Sequence, residues 1–168
     1  MNPARRALWY SVLAGGLVAG SIDISAASLI NWLSPVFILH AIASGWLGKA
    51  AFTDGAAAAI LGLVSQWGMA LIIAAIYALA ANRLSALGRR WIAGGLSYGV
   101  VIFLVMNYVV VPLSAAPWNP WKRHFSPDKF VENLLAMMLF GLILAGCRRY
   151  FTRDSDNGAH HRIHAPAA

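Results

Sequence analysis

Residues 8–33 read LWYSVLAGGLVAGSIDISAASLINWL, and within these 26 residues only Asp23 is ionisable. At about 1.5 Å of rise per residue, a helix of this length crosses a hydrocarbon core of roughly 30 Å with length to spare. A carboxylate inside such a span costs ~2.5–3.5 kcal/mol on insertion scales unless it faces neighbouring helices or a wet cavity. The stretch therefore predicts a transmembrane helix with its acid turned toward a bundle. The rest of the chain has to supply that bundle.

Arg5 and Arg6 precede the run, and Ala19-Gly20-Ser21 has the small residues of a leader-cleavage site. The apolar stretch continues to Leu33, however, past the ~7–15 residues of a secretory signal's apolar region. A retained span is expected.

Composition agrees. Of 168 residues, 60% are hydrophobic and 11% charged, and the mean hydropathy is +0.64. Soluble domains carry about 25% charged residues. The net charge of +7 comes from basic residues set between apolar runs rather than on one polar face. That placement suits topology and contact with the lipid bilayer and its anionic lipid headgroups, and gives no reason to expect nucleic acid. The single cysteine, Cys147, excludes an intramolecular disulfide or a CxxC pair. With no HExxH, no P-loop and no Ser/His/Asp set, neither an enzyme nor a cofactor is expected.

The first span holds a GxxxG pair, Gly16 and Gly20, a spacing that lets another helix backbone approach. Asp23 follows three residues on, near the same face. Asn31, Trp32, Ser34 and Pro35 close the span. Residues 36–48, VFILHAIASGWLG, would reach only about 20 Å as a helix, too short for a crossing, which predicts a re-entrant or interfacial segment. Thr53 or Asp54 is placed to cap the next helix. That second span, 55–81, carries Gln66 near its centre. After a short basic turn with Arg83, Arg89 and Arg90, the third span, 91–111, carries a second GxxxG, Gly95 to Gly99, with Asn107 toward its far end before Pro112. The loop 114–129 mixes proline, tryptophan and basic residues, a composition of the headgroup layer. Ser126-Pro127 signals the start of a fourth helix, 127–151. Residues 152–168 are polar enough to predict a disordered tail.

The fold class expected is all-α: an integral membrane bundle of four transmembrane helices with a short re-entrant or interfacial helix after the first. With residues 1–7 and both termini in the cytoplasm, Arg5, Arg6, Arg83, Arg89, Arg90, Arg148, Arg149, Arg153 and Arg162 fall inside. Lys49, Lys122, Arg123 and Lys129 fall outside. Nine against four obeys the positive-inside rule.

The block Pro35-Val36-Phe37-Ile38-Leu39-His40-Ala41-Ile42-Ala43-Ser44-Gly45-Trp46-Leu47-Gly48 carries a likeness to a known family. So do Tyr98-Gly99, Met106-Asn107, Val109 through Ala115, Ala19-Gly20 and Asp23. Over residues 12–117 the chain resembles the YagU-like family of small bacterial inner-membrane proteins, particularly its proteobacterial branch. The resemblance implies an inner-membrane location and a role in acid resistance, with no catalytic residues to carry over. The chain departs from that branch in having His40 where glutamine is expected and Gln66 where histidine is expected.

The candidate residues each have two readings. Asp23 is either a proton- or cation-binding carboxylate or a structural acid bonded to Asn107, Gln66 or His40. His40 either exchanges protons with Asp23 or lies among headgroups. Gln66 and Asn107 line a polar path or bridge helices. Glu132 sits where a helix dipole favours a carboxylate. His160, His161 and His164 are expected as unordered tail rather than a metal site. Gly16, Gly20, Gly95 and Gly99 are expected to pack helices, within the chain or across a homodimer. Two functional classes remain: a small proton-linked transport or permeability component, and a non-transporting structural or interaction protein. Convergence of the polar residues on one cavity favours the first, and dispersal the second.

Overall fold

A computed structural model describes residues 3–117 and 127–163, without the side chains of residues 3, 4, 85, 86 and 154–163. Helix α1 spans Pro3–Asn31, α2 Pro35–Leu47, α3 Gly55–Arg83, α4 Ser85–Arg89, α5 Trp91–Val105, α6 Val111–Leu113 and α7 Pro127–Ile163. A 3-10 turn, Gly48–Phe52, follows α2, and a π-helical turn, Met106–Val110, joins α5 to α6. The described residues contain no strand.

The helix ends follow from local chemistry. Trp32 takes φ of 54°, a left-handed backbone uncommon outside glycine. Its N–H donates to the Leu29 carbonyl at 3.3 Å and that of Leu33 to Ser28 at 3.1 Å, the paired bonds of a Schellman stop. Lys129, from the start of α7, donates to the Ile30 carbonyl and so caps α1 across the bundle. Ser34 caps α2 by accepting from Phe37 N–H at 3.2 Å, with Pro35 in the first turn, where a missing N–H is harmless. Asp54 precedes α3 but makes no side-chain capping bond, and Thr53 Oγ1 instead donates to the Ala50 carbonyl. The expected cap is thus unused. Gly55, at φ of 57°, turns the chain into α3.

Pro112 does not end the third long helix, which runs on to Leu113. It has no N–H to donate, and its ring crowds the carbonyl four residues back. The turn before it widens, and Val111 N–H reaches back five residues to the Met106 carbonyl. Beyond 151, residues expected as disordered tail continue α7 to Ile163. Thr152 Oγ1 donates to the Arg148 and Arg149 carbonyls there, and extending an existing helix incurs no nucleation cost. Residues 164–168 lie outside the described residues.

Topology follows from which residues meet. Gly16 faces Leu71, Gly20 faces Ala70 and Trp67, and Asp23 meets Gln66, so α1 and α3 run antiparallel. Gly95 faces Gly141 and Gly99 faces Met137, so α5 and α7 are antiparallel too. Tyr10 stacks on Phe151 while Ile30 meets Lys129, so α1 and α7 are also antiparallel. Because α1 and α3 are antiparallel, residues 32–54 leave and rejoin the bundle at the same end. Leu39 packs on Gly62, His40 meets Gly55, and Gly45 accepts from Ala115 N–H, all at that end. The opposite end gathers Arg5, Arg6, Arg83, Arg89, Arg90, Arg148, Arg149 and Arg153, and is called the basic end below.

The interior is made of small residues. Ala19, Ala70, Ala74, Ala78 and Ala145 are buried, with Val12, Tyr77, Phe140 and Leu144 among them. Large apolar side chains point outward, as on α3, where exposed Ile60, Val64, Ile72, Ile76 and Leu79 share a face. A protein folded in water reverses this arrangement, whereas helices in lipid associate through small residues and close backbone contact. Five segments are long and apolar enough to cross a membrane: Arg5–Asn31, Pro35–Phe52, Gly55–Arg83, Trp91–Leu113 and Pro127–Arg153.

Candidate functional site

Asp23 sits on the α1 face that carries Gly16 and Gly20, eight residues before Asn31, so about 12 Å below that helix end. The glycines bring α3 close enough for a short polar side chain to span the gap. Gln66 Nε2 donates to Asp23 Oδ2 at 2.8 Å and makes a longer contact, 3.4 Å, with the Gly20 carbonyl. One turn nearer the basic end, Ala70 fills the glycine notch. Beside Asp23, Trp67 Nε1 donates to Ser21 Oγ at 3.3 Å, a second α1–α3 bond on the exposed side.

Asp23 and Gln66 open onto a cavity of about 20 Å³ closed by Met69, Ile73, Met106, Met137 and Phe140. One water needs about 10–15 Å³ by the same measure, so the space suits a single molecule and not a file of them. Its wall is apolar and drawn from α3, α7 and the widened turn after α5. Met106, the first residue of the π-helical turn before Pro112, contributes to this wall.

The other predicted polar residues do not join this pair. His40 Nε2 is 2.9 Å from the Gly55 carbonyl, at the end where α2 meets α3, so its ring ties the start of α3 to α2. Asn107 Nδ2 donates to the Phe103 carbonyl at 2.9 Å, four residues back on its own helix. Of the alternatives open for Asp23, the bond to Gln66 is the one formed. Glu132 pairs with Lys129 at 3.1 Å, both about half exposed, near the start of α7 as its position suggested. Such a pair contributes little stability. Cys147 is half-buried and packs on Gly15. His160 and His161 lie on α7 with side chains not described, and His164 is outside the described residues. Among those described, no three metal-ligating side chains cluster.

Both glycine pairs pack helices within the chain. Gly16 and Gly20 receive α3, and Gly95 and Gly99 receive α7. Sequence reasoning missed three partners. Gly141 faces Gly95 directly, Gly62 admits the Leu39 backbone, and Tyr98 Oη donates to the Ile73 carbonyl at 2.8 Å, tying α5 to α3. Gly141 forms no GxxxG pair, and nothing local distinguishes Tyr98 from the other interfacial tyrosines. Only Gly62, seven residues into an alanine-rich run, offered a signal of close approach.

The packing and the long apolar helices define the class: an all-helical bundle compatible with a multi-pass membrane protein, with one acid–amide pair in its interior. No family model matches the sequence, and neither a curated protein nor a solved structure matches it.

Proposed function

We propose that this chain is a YagU-like protein of the bacterial inner membrane. It has four spans, a re-entrant α2 and both termini in the cytoplasm. Its function is proton-linked transport or permeability in acid resistance, with Asp23 as the proton-binding group. The observation that carries this reading is the Asp23–Gln66 bond facing a water-sized cavity within the bundle. A carboxyl with an amide donor on one oxygen keeps the other oxygen for a proton, and the cavity has room for the water that would deliver it. The return of residues 32–54 to the same end supports four crossings rather than five, and the gathering of arginines at the other end supports that end as cytoplasmic. Since one copy offers room for one water, conduction through the full thickness would require a second copy, and a homodimer is part of the reading.

One observation favours the second class. His40 and Asn107 are bonded to backbone carbonyls away from Asp23, so the polar residues are partly dispersed. In that reading the Asp23–Gln66 bond holds α1 against α3 and transports nothing.

Proton flux into liposomes holding the purified protein, under an imposed pH gradient, separates the two. Asp23→Asn retains an oxygen to accept from Gln66 and removes the titrating group. Flux in the wild type that vanishes in an equally stable Asp23→Asn establishes the proton site. Equal absence of flux in both, at equal thermal stability, rejects conduction and leaves the structural role.

A further inference from the structure

At the basic end, helices α3, α4, α5 and α7 surround a cavity of about 350 Å³ that is distinct from the space beside Asp23. Its size falls within the range of small-ligand pockets, about 300–1,000 Å³. Three guanidinium groups line it, those of Arg148, Arg149 and Arg153, together with Tyr77, Trp91 and Thr152. No aspartate or glutamate is among the lining residues. Among the described residues, three cations share one concave surface with no anion in its lining.

Two of the arginines are held in place by contacts. Arg148 donates through its terminal nitrogen to Asn82 Oδ1 of α3, which fixes the side chain across the cavity floor. Its Nε is buried and, among the described residues, has no hydrogen-bond partner. A buried donor on a charged group without an acceptor is costly. The Arg149 guanidinium lies 5.5 Å from the ring centroid of Trp91, a cation–π contact that positions it against the opposite wall. Arg153 is one turn beyond Arg149 on the same face of α7.

We propose that this cavity is a phosphate-binding site, taking the phosphodiester of an anionic phospholipid headgroup or a free phosphate. Arginine forks match phosphate oxygens bidentately, so a cavity lined by three guanidinium groups suits a phosphoryl group. Basic pockets between transmembrane helices are known to hold headgroups of this charge. The proposal does not involve Asp23, and its failure would leave the proton reading untouched.

The test titrates the full chain in detergent, reading thermal stability. The probes are short-chain phosphatidylglycerol, phosphatidylcholine and inorganic phosphate. Phosphatidylglycerol or phosphate is expected to stabilise the wild type saturably, with about tenfold weaker apparent affinity in Arg149→Gln and in Arg153→Gln. Lys49→Gln, at the other end, should match the wild type. Arg148→Gln is set aside, because its bond to Asn82 also joins α7 to α3. Stabilisation by phosphatidylglycerol that phosphate neither reproduces nor displaces identifies a lipid headgroup. Stabilisation by phosphate alone identifies a soluble ligand. No saturable response to either, or a response unchanged in both arginine variants at intact melting behaviour, overturns the site.

Discussion

Along the α5–α7 seam, backbone meets backbone at the glycines: Gly99 faces the Met137–Met138 peptide and Gly95 faces Gly141, with the Ala145 methyl beside it. Along the α1–α3 seam, Gly16 and Gly20 instead receive side chains, the Leu71 Cδ2 and the Ala70 methyl, and a polar bond from Gln66 to Asp23 crosses a few residues on. Both seams are built on GxxxG, yet they differ in what a change would meet. The first is closed by geometry that cannot yield. The second is closed partly by groups that can shift and partly by a hydrogen bond. The proposed proton site lies in the second seam, whose closure does not rest on contact alone.

The sharpest way to break this comparison is to add a methyl on the rigid side. A Cβ at Gly99 would lie 2.6 Å from Met138 Cα and 2.8 Å from the Met137 carbonyl carbon, neither of which can rotate away. Gly99→Ala is expected to cost about 3 kcal/mol, the upper end of overpacking, or to abolish the folded form in detergent. Gly141→Ala should match it, since its Cβ would meet Gly99 N at 2.8 Å. Thermal unfolding followed by circular dichroism measures both.

Gly16→Ala comes next. Its Cβ would meet the Leu71 Cδ2 at 2.9 Å, which a rotamer change relieves, and the Leu71 Cα at 3.1 Å, which calls for a small helix shift. About 1–2 kcal/mol is expected, at the low end of overpacking. A Gly16→Ala loss equal to that of Gly99→Ala would mean that the two seams are equally rigid.

Much of this was legible beforehand. Asp23 and the two GxxxG pairs could be placed on helices because a lone charge and small-residue spacing are local signals within long apolar runs. The segment 36–48 was expected to be too short to cross, yet with the 3-10 turn that follows it Pro35–Phe52 is long and apolar enough to do so. What lay beyond reach was pairing across the chain. Gln66, Asn107 and His40 were equally good partners for Asp23 from sequence, and only the rotation of each helix about its axis decides among them. Gly62 and Gly141 pack as closely as the named glycines, though neither forms a GxxxG pair. The tail to Ile163 read as disordered because composition ignores the helix already running into it.

Gln66→Leu tests the polar part of the flexible seam. It removes the one side-chain donor to Asp23 among the described residues while keeping bulk, and interhelical polar bonds in membranes average about 0.6 kcal/mol with a ceiling near 1.7 kcal/mol. A loss of about 1 kcal/mol is expected, with Asp23→Asn costing less because the asparagine oxygen still accepts from Gln66. Combining Gln66→Leu with Asp23→Ala, which removes the acceptor, in a thermodynamic cycle checks the assignment: a coupling near zero would detach Gln66 from Asp23.

Gly68→Ala has the smallest expected effect and the opposite sign. Gly68 lies on α3 between Trp67 and Met69, in the same helix that fills the Gly16–Gly20 notch, yet a Cβ there meets nothing within 4 Å. With no neighbour to displace, only the backbone term remains, and alanine in a helix interior is favoured over glycine by roughly 0.5–1 kcal/mol. A slight rise in melting temperature is therefore expected. If Gly68→Ala lowers stability as much as Gly16→Ala does, α3 needs its glycines for bending rather than for close approach. The contrast between the two seams would then rest on helix flexibility instead of on which atoms meet.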